Sequence, residues 1–283
     1  MKTRFRTDEK YAKIFLELAN TITCTGDVVP KRFQDIMWKN RGETAMFSAF
    51  PMPEDRLERK NPLIVGIGDS VTAGHFEFIM NPEELKNKIS EGTLTAEDRT
   101  EVTDVQEGYL DRFRRKLIEK YESTSVSVIN SGIAGDTILG MEKRLDRDVL
   151  RYQPDLVLIN ASLNWGQDCG SNEQYYMALK AVVLRVQNET NSDIILMTPN
   201  AALPTPFDHP ESTLFDRVQI IRKLAKELSV CLVDTYKIWN AYIKAGYPLE
   251  ALLANGTNHP SITGHEVYAI ALMQLISQID NKK

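Results

Sequence analysis

NPLIVGIGDSVTAGH, residues 61–75, runs from an apolar stretch straight into Gly66, Gly68, an acid and two hydroxyls. A β-branched run that ends in glycines reads as a strand delivering a tight turn to a sheet edge. Such a turn serves either to cradle a phosphate or to seat a nucleophile. A dinucleotide fingerprint requires G-x-G-x-x-G, and a P-loop requires Gly-Lys-Ser/Thr. Here Gly66 and Gly68 are followed by Asp69, Ser70 and Val71, the next glycine is Gly74, and the lysine is missing. An acid at the mouth of the loop would also repel a phosphate. A serine presented on a turn is what remains, and it needs partners from elsewhere in the chain.

Working outward, four further short apolar runs share the character of 63–68: VSVIN (126–130), DLVLINAS (155–162), DIILMT (193–198) and SVCLVDT (229–235). None alternates cleanly, which is how strands buried on both faces of a parallel sheet read. Helical patterns lie between them. Leu110, Phe113, Leu117 and Tyr121 recur at three- and four-residue spacing in 109–121, and Tyr175, Leu179, Val182 and Val186 form one stripe in 172–189. Leu214, Val218, Ile221, Ala225 and Leu228 do the same in 213–228. A last helix over 264–279 opens with Thr263 and Glu266 at capping-box spacing. This alternation predicts an α/β fold, a three-layer α/β/α sandwich around a five-stranded parallel sheet of flavodoxin-like type.

Two segments stand outside the alternation. Residues 1–60 read as an N-terminal helical extension, two helices plus the connector FPMPEDRLERKNP, packed on the main domain at 61–283. Residues 76–107 form a long, charged, partly helical insertion directly after the serine turn, and the expectation for it is a lid.

Bulk properties narrow the function classes. The chain has 283 residues, 42% of them hydrophobic and 26% charged, with a formal net charge of -5. That balance gives no reason to expect nucleic acid or an anionic membrane as partner. Cys24, Cys169 and Cys231 are an odd, widely spaced set that marks neither a disulfide framework nor a metal knuckle. No H-E-x-x-H or comparable ligand spacing occurs, so neither a metal nor another cofactor is expected. The basic start is broken by Glu9, Lys10, Lys13 and Glu17, the pattern of a short amphipathic helix and not of a signal peptide. With no apolar run of membrane-spanning length, the expected location is cytoplasmic.

In an open parallel sheet, ligands bind beyond the C-terminal ends of the strands. Just past the first strand stands Ser70, past the second NSGIAGDT (130–137) and past the third Asn164. His259 comes in LLANGTNHPSITGH, ahead of the final helix. Four blocks in this order, spread over about residues 62–270, resemble the SGNH (GDSL-type) hydrolase/esterase family. The resemblance implies that fold, with Ser70 as nucleophile and His259 as general base. It also implies an oxyanion hole made of the Ser70 and Gly135 backbone N–H groups and the Asn164 side chain. The chemistry agrees: a serine hydroxyl is a poor nucleophile until an imidazole takes its proton. Attack on an ester carbonyl builds negative charge, and losing one preorganised donor costs about 2.7–4 kcal/mol of barrier.

Two departures from the family pattern matter. The family's GxND block stands here as Ser162-Leu163-Asn164-Trp165, with Trp165 read either as a pocket wall or as ordinary packing. The aspartate that usually precedes the histidine and orients it is replaced by ANGTNHP, which has no carboxylate. A Ser70–His259 dyad is therefore expected, its imidazole oriented by Asn255 or by a loop carbonyl. His75, His265 and Cys169 read as structural, and His209 as a residue of a solvated loop. The function expected is metal-independent hydrolysis of a small ester, short-chain or an O-acetyl carbohydrate, through an acyl-serine intermediate. The alternative is a degenerate relative that binds an acylated or carbohydrate ligand without turnover. The partner expected is a small-molecule ester, and homo-oligomers are left open.

Overall fold

The computed structural model describes residues 8–39, 61–78, 82–95, 98, 101–122, 125–166, 169–204 and 212–278. Within them the chain opens with two helices, α1 (Glu9–Thr21) and α2 (Lys31–Lys39). Strand β1 (Leu63–Gly68) runs into a single helical turn, α3 (Ser70–Ala73). Strands β2 (His75–Phe78) and β3 (Glu101–Thr103) flank helix α4 (Pro82–Glu91). Helix α5 (Tyr109–Tyr121) leads to β4 (Ser127–Gly132) and the short helices α6 (Ile138–Lys143) and α7 (Leu145–Asp148). Next come β5 (Leu156–Asn160), α8 (Asn172–Glu189), β6 (Asp193–Met197) and α9 (Leu214–Glu227). Strand β7 (Cys231–Val233), α10 (Thr235–Lys244) and α11 (Ile262–Ser277) complete the order.

The five apolar runs are the five strands of one parallel sheet, ordered β4-β1-β5-β6-β7. Each central strand divides its side chains between two apolar layers. Ile64, Leu156, Leu158, Ile195 and Met197 join the cluster built with α1, α2, α5, α10 and α11. Val65, Ile67, Val157, Ile159, Ile194 and Leu196 join the cluster built with α6, α8 and α9. Both faces are covered, so both sets of alternate residues must be apolar, and the runs read as continuous.

The N-terminal helices pack on this body. Asp8 caps α1 by accepting from the Lys10 N–H, and Phe15 meets Trp239 edge-on at 4.7 Å between centroids. Asp193, at the start of β6, accepts from the Phe33 N–H at 2.8 Å, and the buried Asp155 pairs with Arg32 at 3.3 Å. Between the two helices, Thr25 bridges Val233 in antiparallel sense, and the Gly26 N–H donates to the Leu232 carbonyl at 3.0 Å. The extension thus occupies an edge of β7 that would otherwise invite pairing with another chain. The connector expected over residues 50–62 lies outside the described residues up to residue 60.

The final helix corrects one sequence expectation. It starts at Ile262, and its N-cap is Ser261, whose hydroxyl accepts from the Gly264 N–H. No Thr263–Glu266 capping box forms, because an equally good cap stands two residues earlier, directly after Pro260. Glu266 instead pairs with Arg112 (2.7 Å) and Lys116 (2.6 Å) on α5, locking the two helices together. Among the described residues no helix is long and apolar enough to cross a membrane.

Candidate active site

The sheet register brings the candidate loops together. Gly68, the last residue of β1, is paired with Gly132 of β4 on one side and Asn160 of β5 on the other. Three strands therefore end level, and the loops after them share one rim. Asp69 caps the α3 turn by accepting from the Val71 N–H at 3.0 Å. Ser70 is consequently the first helical residue, set just past the strand end and only 5% exposed.

His259 reaches the same rim from the other end of the chain. Its Nε2 lies 2.9 Å from Ser70 Oγ, and its Nδ1 lies 2.9 Å from the Phe76 carbonyl oxygen. A carbonyl only accepts, so Nδ1 must carry the proton and Nε2 must offer its lone pair to the serine hydroxyl. That is the tautomer a general base needs, obtained without a carboxylate. The ring is 3% exposed. Asn255 is engaged elsewhere: its Oδ1 accepts from the N–H groups of Thr257 (3.0 Å), Asn258 (3.0 Å) and His259 (2.9 Å). It holds the shape of the loop, while the imidazole faces a carbonyl. Asn200 secures the same loop, donating to the Asn258 carbonyl at 2.8 Å and accepting from Tyr268 Oη at 3.2 Å.

The residues read as oxyanion donors lie on neighbouring loops. Gly135 has φ +72°, a left-handed conformation that glycine adopts at no steric cost, and a Cβ there would meet nothing within 4 Å. The turn around it is fixed by the Ile133 N–H on the Gly68 carbonyl (3.1 Å) and the Asp136 N–H on the Ile133 carbonyl (3.1 Å). Asn164 Nδ2 donates to the Asp136 carbonyl at 3.2 Å, which ties the loop after β5 to the loop after β4. Asn130, at the head of the NSGIAGDT block, spans Thr72 and Gly132, donating to the Thr72 carbonyl (2.8 Å) and accepting from the Gly132 N–H (3.0 Å).

Trp165 is packing, not a pocket wall: it is buried in the α8-side core, and its indole N–H donates to the Gly170 carbonyl at 2.8 Å. His75 lies edge-on to His259 with centroids 6.0 Å apart. His209 lies outside the described residues. The three cysteines are unpaired, and burial pushes the Cys24 and Cys231 thiols up to about 12. Among the described residues no group of three or more His, Cys, Asp or Glu side chains could hold a metal ion. One contributor escaped the sequence reading: the Phe76 carbonyl is backbone and leaves no side-chain signal.

Two buried groups under the rim set opposite pH dependences. Burial pushes the His265 imidazole from 6.5 down to about 3, helped by the positive charge of Arg112. Its Nδ1 accepts from the Tyr109 N–H at 3.1 Å, so the ring is neutral with its proton on Nε2. Burial pushes Asp69 from 3.8 up to about 7, against the lowering effect of the Val71 N–H. His265 takes up its proton only on unfolding, so its contribution is complete above 6.5 and is lost as pH falls toward 3. Asp69 acts in the other sense, its contribution being complete below 3.8 and lost as pH rises through 7. The slopes oppose each other over the shared window. In His265→Gln the Asp69 slope is expected to lose its counterweight, so the unfolding free energy from urea titration should rise on going from pH 7 to pH 5, by on the order of 1 kcal/mol per unit. Equal pH slopes in wild type and variant would contradict this.

A flavodoxin-like sheet with a serine and an imidazole joined at its C-terminal rim defines a class, the carboxylic-ester hydrolases. The pattern of the GDSL-like lipase/acylhydrolase family matches residues 67–267, and the chain belongs to that family. An acetylxylan esterase of Geobacillus stearothermophilus is 30% identical over 179 residues, 60% of this chain and 80% of that one. The crystal structure of Axe2, an acetylxylan esterase from Geobacillus stearothermophilus, superposes with a TM-score of 0.56 at 26% identity, covering 77% of this chain and 94% of that one. LAE5, an alpha/beta hydrolase enzyme from the Lake Arreo metagenome, shares the fold with a TM-score of 0.57 at 24% identity, over 76% of this chain and 94% of its own.

Proposed function

We propose that this esterase removes short acyl groups, O-acetyl groups of carbohydrates foremost, through an acyl intermediate on Ser70. The observation that carries the reading is the 2.9 Å contact from Ser70 Oγ to His259 Nε2, with Nδ1 held by the Phe76 carbonyl. Nε2 takes the hydroxyl proton as Oγ attacks the ester carbon. The same proton then goes to the departing alkoxide as the carbon–oxygen bond breaks. Water repeats the sequence on the acyl-serine, giving its proton to Nε2 and releasing the acid with Ser70 restored. The Ser70 and Gly135 amides and one N–H of Asn164 serve the oxyanion. The start of the 76–107 segment acts as an orienting arm, since β2 supplies the carbonyl that fixes the imidazole.

The acetyl preference draws its support from the Geobacillus stearothermophilus acetylxylan esterase, similar to this chain in sequence and in structure. It is tested with p-nitrophenyl esters from C2 to C12 alongside acetylated xylooligosaccharides. Expected is a kcat/KM highest at C2 that falls steadily with chain length, with acetate released from the oligosaccharides. A maximum at C8 or longer would overturn the substrate class. Stoichiometric labelling of Ser70 by a fluorophosphonate is expected as well; an unreactive Ser70 would favour the degenerate, ligand-binding reading.

A further inference from the structure

Gly135 poses a mechanical problem. It sits at φ +72° with open space where a side chain would be, so no packing of its own holds its N–H in place. A donor must be fixed before charge develops if it is to favour the transition state. Its orientation has to come from neighbours, and the neighbours converge on one side chain, Arg144.

Arg144 follows α6 and is 8% exposed. Its Nε donates to Asp136 Oδ2 at 2.7 Å, and its Nη1 to the Ser131 carbonyl at 2.7 Å and to Asp148 Oδ2 at 2.9 Å. Its Nη2 donates to the Gly68 carbonyl at 3.1 Å. Gly68 stands two residues before Ser70, while Ser131 and Asp136 bracket Gly135. Asp136 carries the connection further. Its Oδ1 accepts from the Thr137 N–H at 2.9 Å, and its backbone carbonyl accepts from Asn164 Nδ2 at 3.2 Å. Helix α6 makes room for that carboxylate, because a Cβ at Gly140 would lie 1.8 Å from Asp136 Oδ1. A buried guanidinium is costly to desolvate and needs its hydrogen bonds satisfied. Here they are satisfied by Asp148 on α7 and by the segments that carry Ser70 and Gly135.

We propose that Arg144 is a positioning residue for the oxyanion-binding loop: by gripping Gly68, Ser131 and Asp136 at once, it fixes the Gly135 N–H and the Asn164 amide relative to Ser70. The inference rests on the serine-esterase reading above. The planar fork is essential to it, since a lysine ammonium supplies the charge without the spread of rigid donors. Arg144 touches no reacting atom, so its loss should weaken the transition state while leaving substrate binding in place.

The test measures kcat and KM on p-nitrophenyl acetate for Arg144→Lys and for the near-isosteric Asp136→Asn, each alone and combined with Asn164→Ala, with thermal melting as the check on folding. Expected for each single variant is a kcat lower by about ten- to a hundredfold, with KM within about threefold. In the Asn164→Ala background the Asn164 share of that loss should vanish and the Gly135 share remain, so the combined loss should fall short of the product of the single losses. Wild-type kcat in a folded Arg144→Lys would overturn the proposal, as would a loss that appears in KM with kcat unchanged. If Arg144→Lys fails to fold, the Asp136→Asn pair decides by the same criteria. Failure of the underlying reading looks different: Ser70→Ala would then retain wild-type activity whatever stands at position 144.

Discussion

Ser70→Ala is expected to lower kcat on p-nitrophenyl acetate by about 10⁴- to 10⁶-fold while leaving the fold intact. The size reflects what the hydroxyl does. It is the group within 2.9 Å of an imidazole whose tautomer is fixed, so on the proposed mechanism its removal takes away the nucleophile and the proton route together. The proposed Gly135 and Asn164 donors survive, and they can still favour attack by water. Such residual catalysis in triad enzymes stripped of the serine amounts to about 10³–10⁴ over the uncatalysed rate. The structural consequence is small, because the turn is held by Asp69 on the Val71 N–H and by Thr72 on Tyr109 Oη at 2.9 Å, neither of which needs the Ser70 hydroxyl. Melting temperature should therefore stay close to wild type. A folded Ser70→Ala retaining more than a tenth of the wild-type kcat would eliminate Ser70 as nucleophile.

That a single serine could be picked out from the chain reflects how the sheet constrains composition. Strands covered on both faces must be apolar throughout, so the five runs announce themselves, and polar residues just past their ends are left at the rim where a ligand can reach them. Ser70, Gly135, Asn164 and His259 stand out as candidates for that reason. The orienter of His259 does not, since any residue can offer a carbonyl and Phe76 is distinguished only by where β2 runs. Arg144 was hidden by its setting, MEKRLDRD, in which Lys143 and Arg147 are ordinary charged neighbours; the burial that singles it out is a product of tertiary packing. Trp165 illustrates the converse. It replaces a family acid beside Asn164 and so invited a role in the pocket, yet its indole is directed into the core and capped by a carbonyl. The cover over β7 was equally unreadable, because residues 25 and 26 pair through backbone atoms.

The replacement of the usual acid by a carbonyl yields the second large effect. His259→Ala should cost about as much as Ser70→Ala, and the double variant no more than either alone, because the two side chains act as one unit. The informative comparison is with Asn255. Were its amide oxygen the partner of Nδ1, as an asparagine is in papain-like enzymes, then Asn255→Ala would free the ring to adopt the wrong tautomer, a change that costs about 10⁴ in serine proteases. The geometry points the other way, since that oxygen is already occupied by three loop N–H groups and the Phe76 carbonyl stands at Nδ1. Asn255→Ala should then leave three donors short of an acceptor, lowering stability by about 1–3 kcal/mol and kcat by no more than about tenfold. Asn255→Asp, whose carboxylate can accept the same three bonds, should restore stability with kcat near wild type. A loss in folded Asn255→Ala as deep as that in His259→Ala would transfer the orienting role from the backbone to the side chain. The imidazole would then depend on the loop that carries it and not on the strand just beyond the nucleophile.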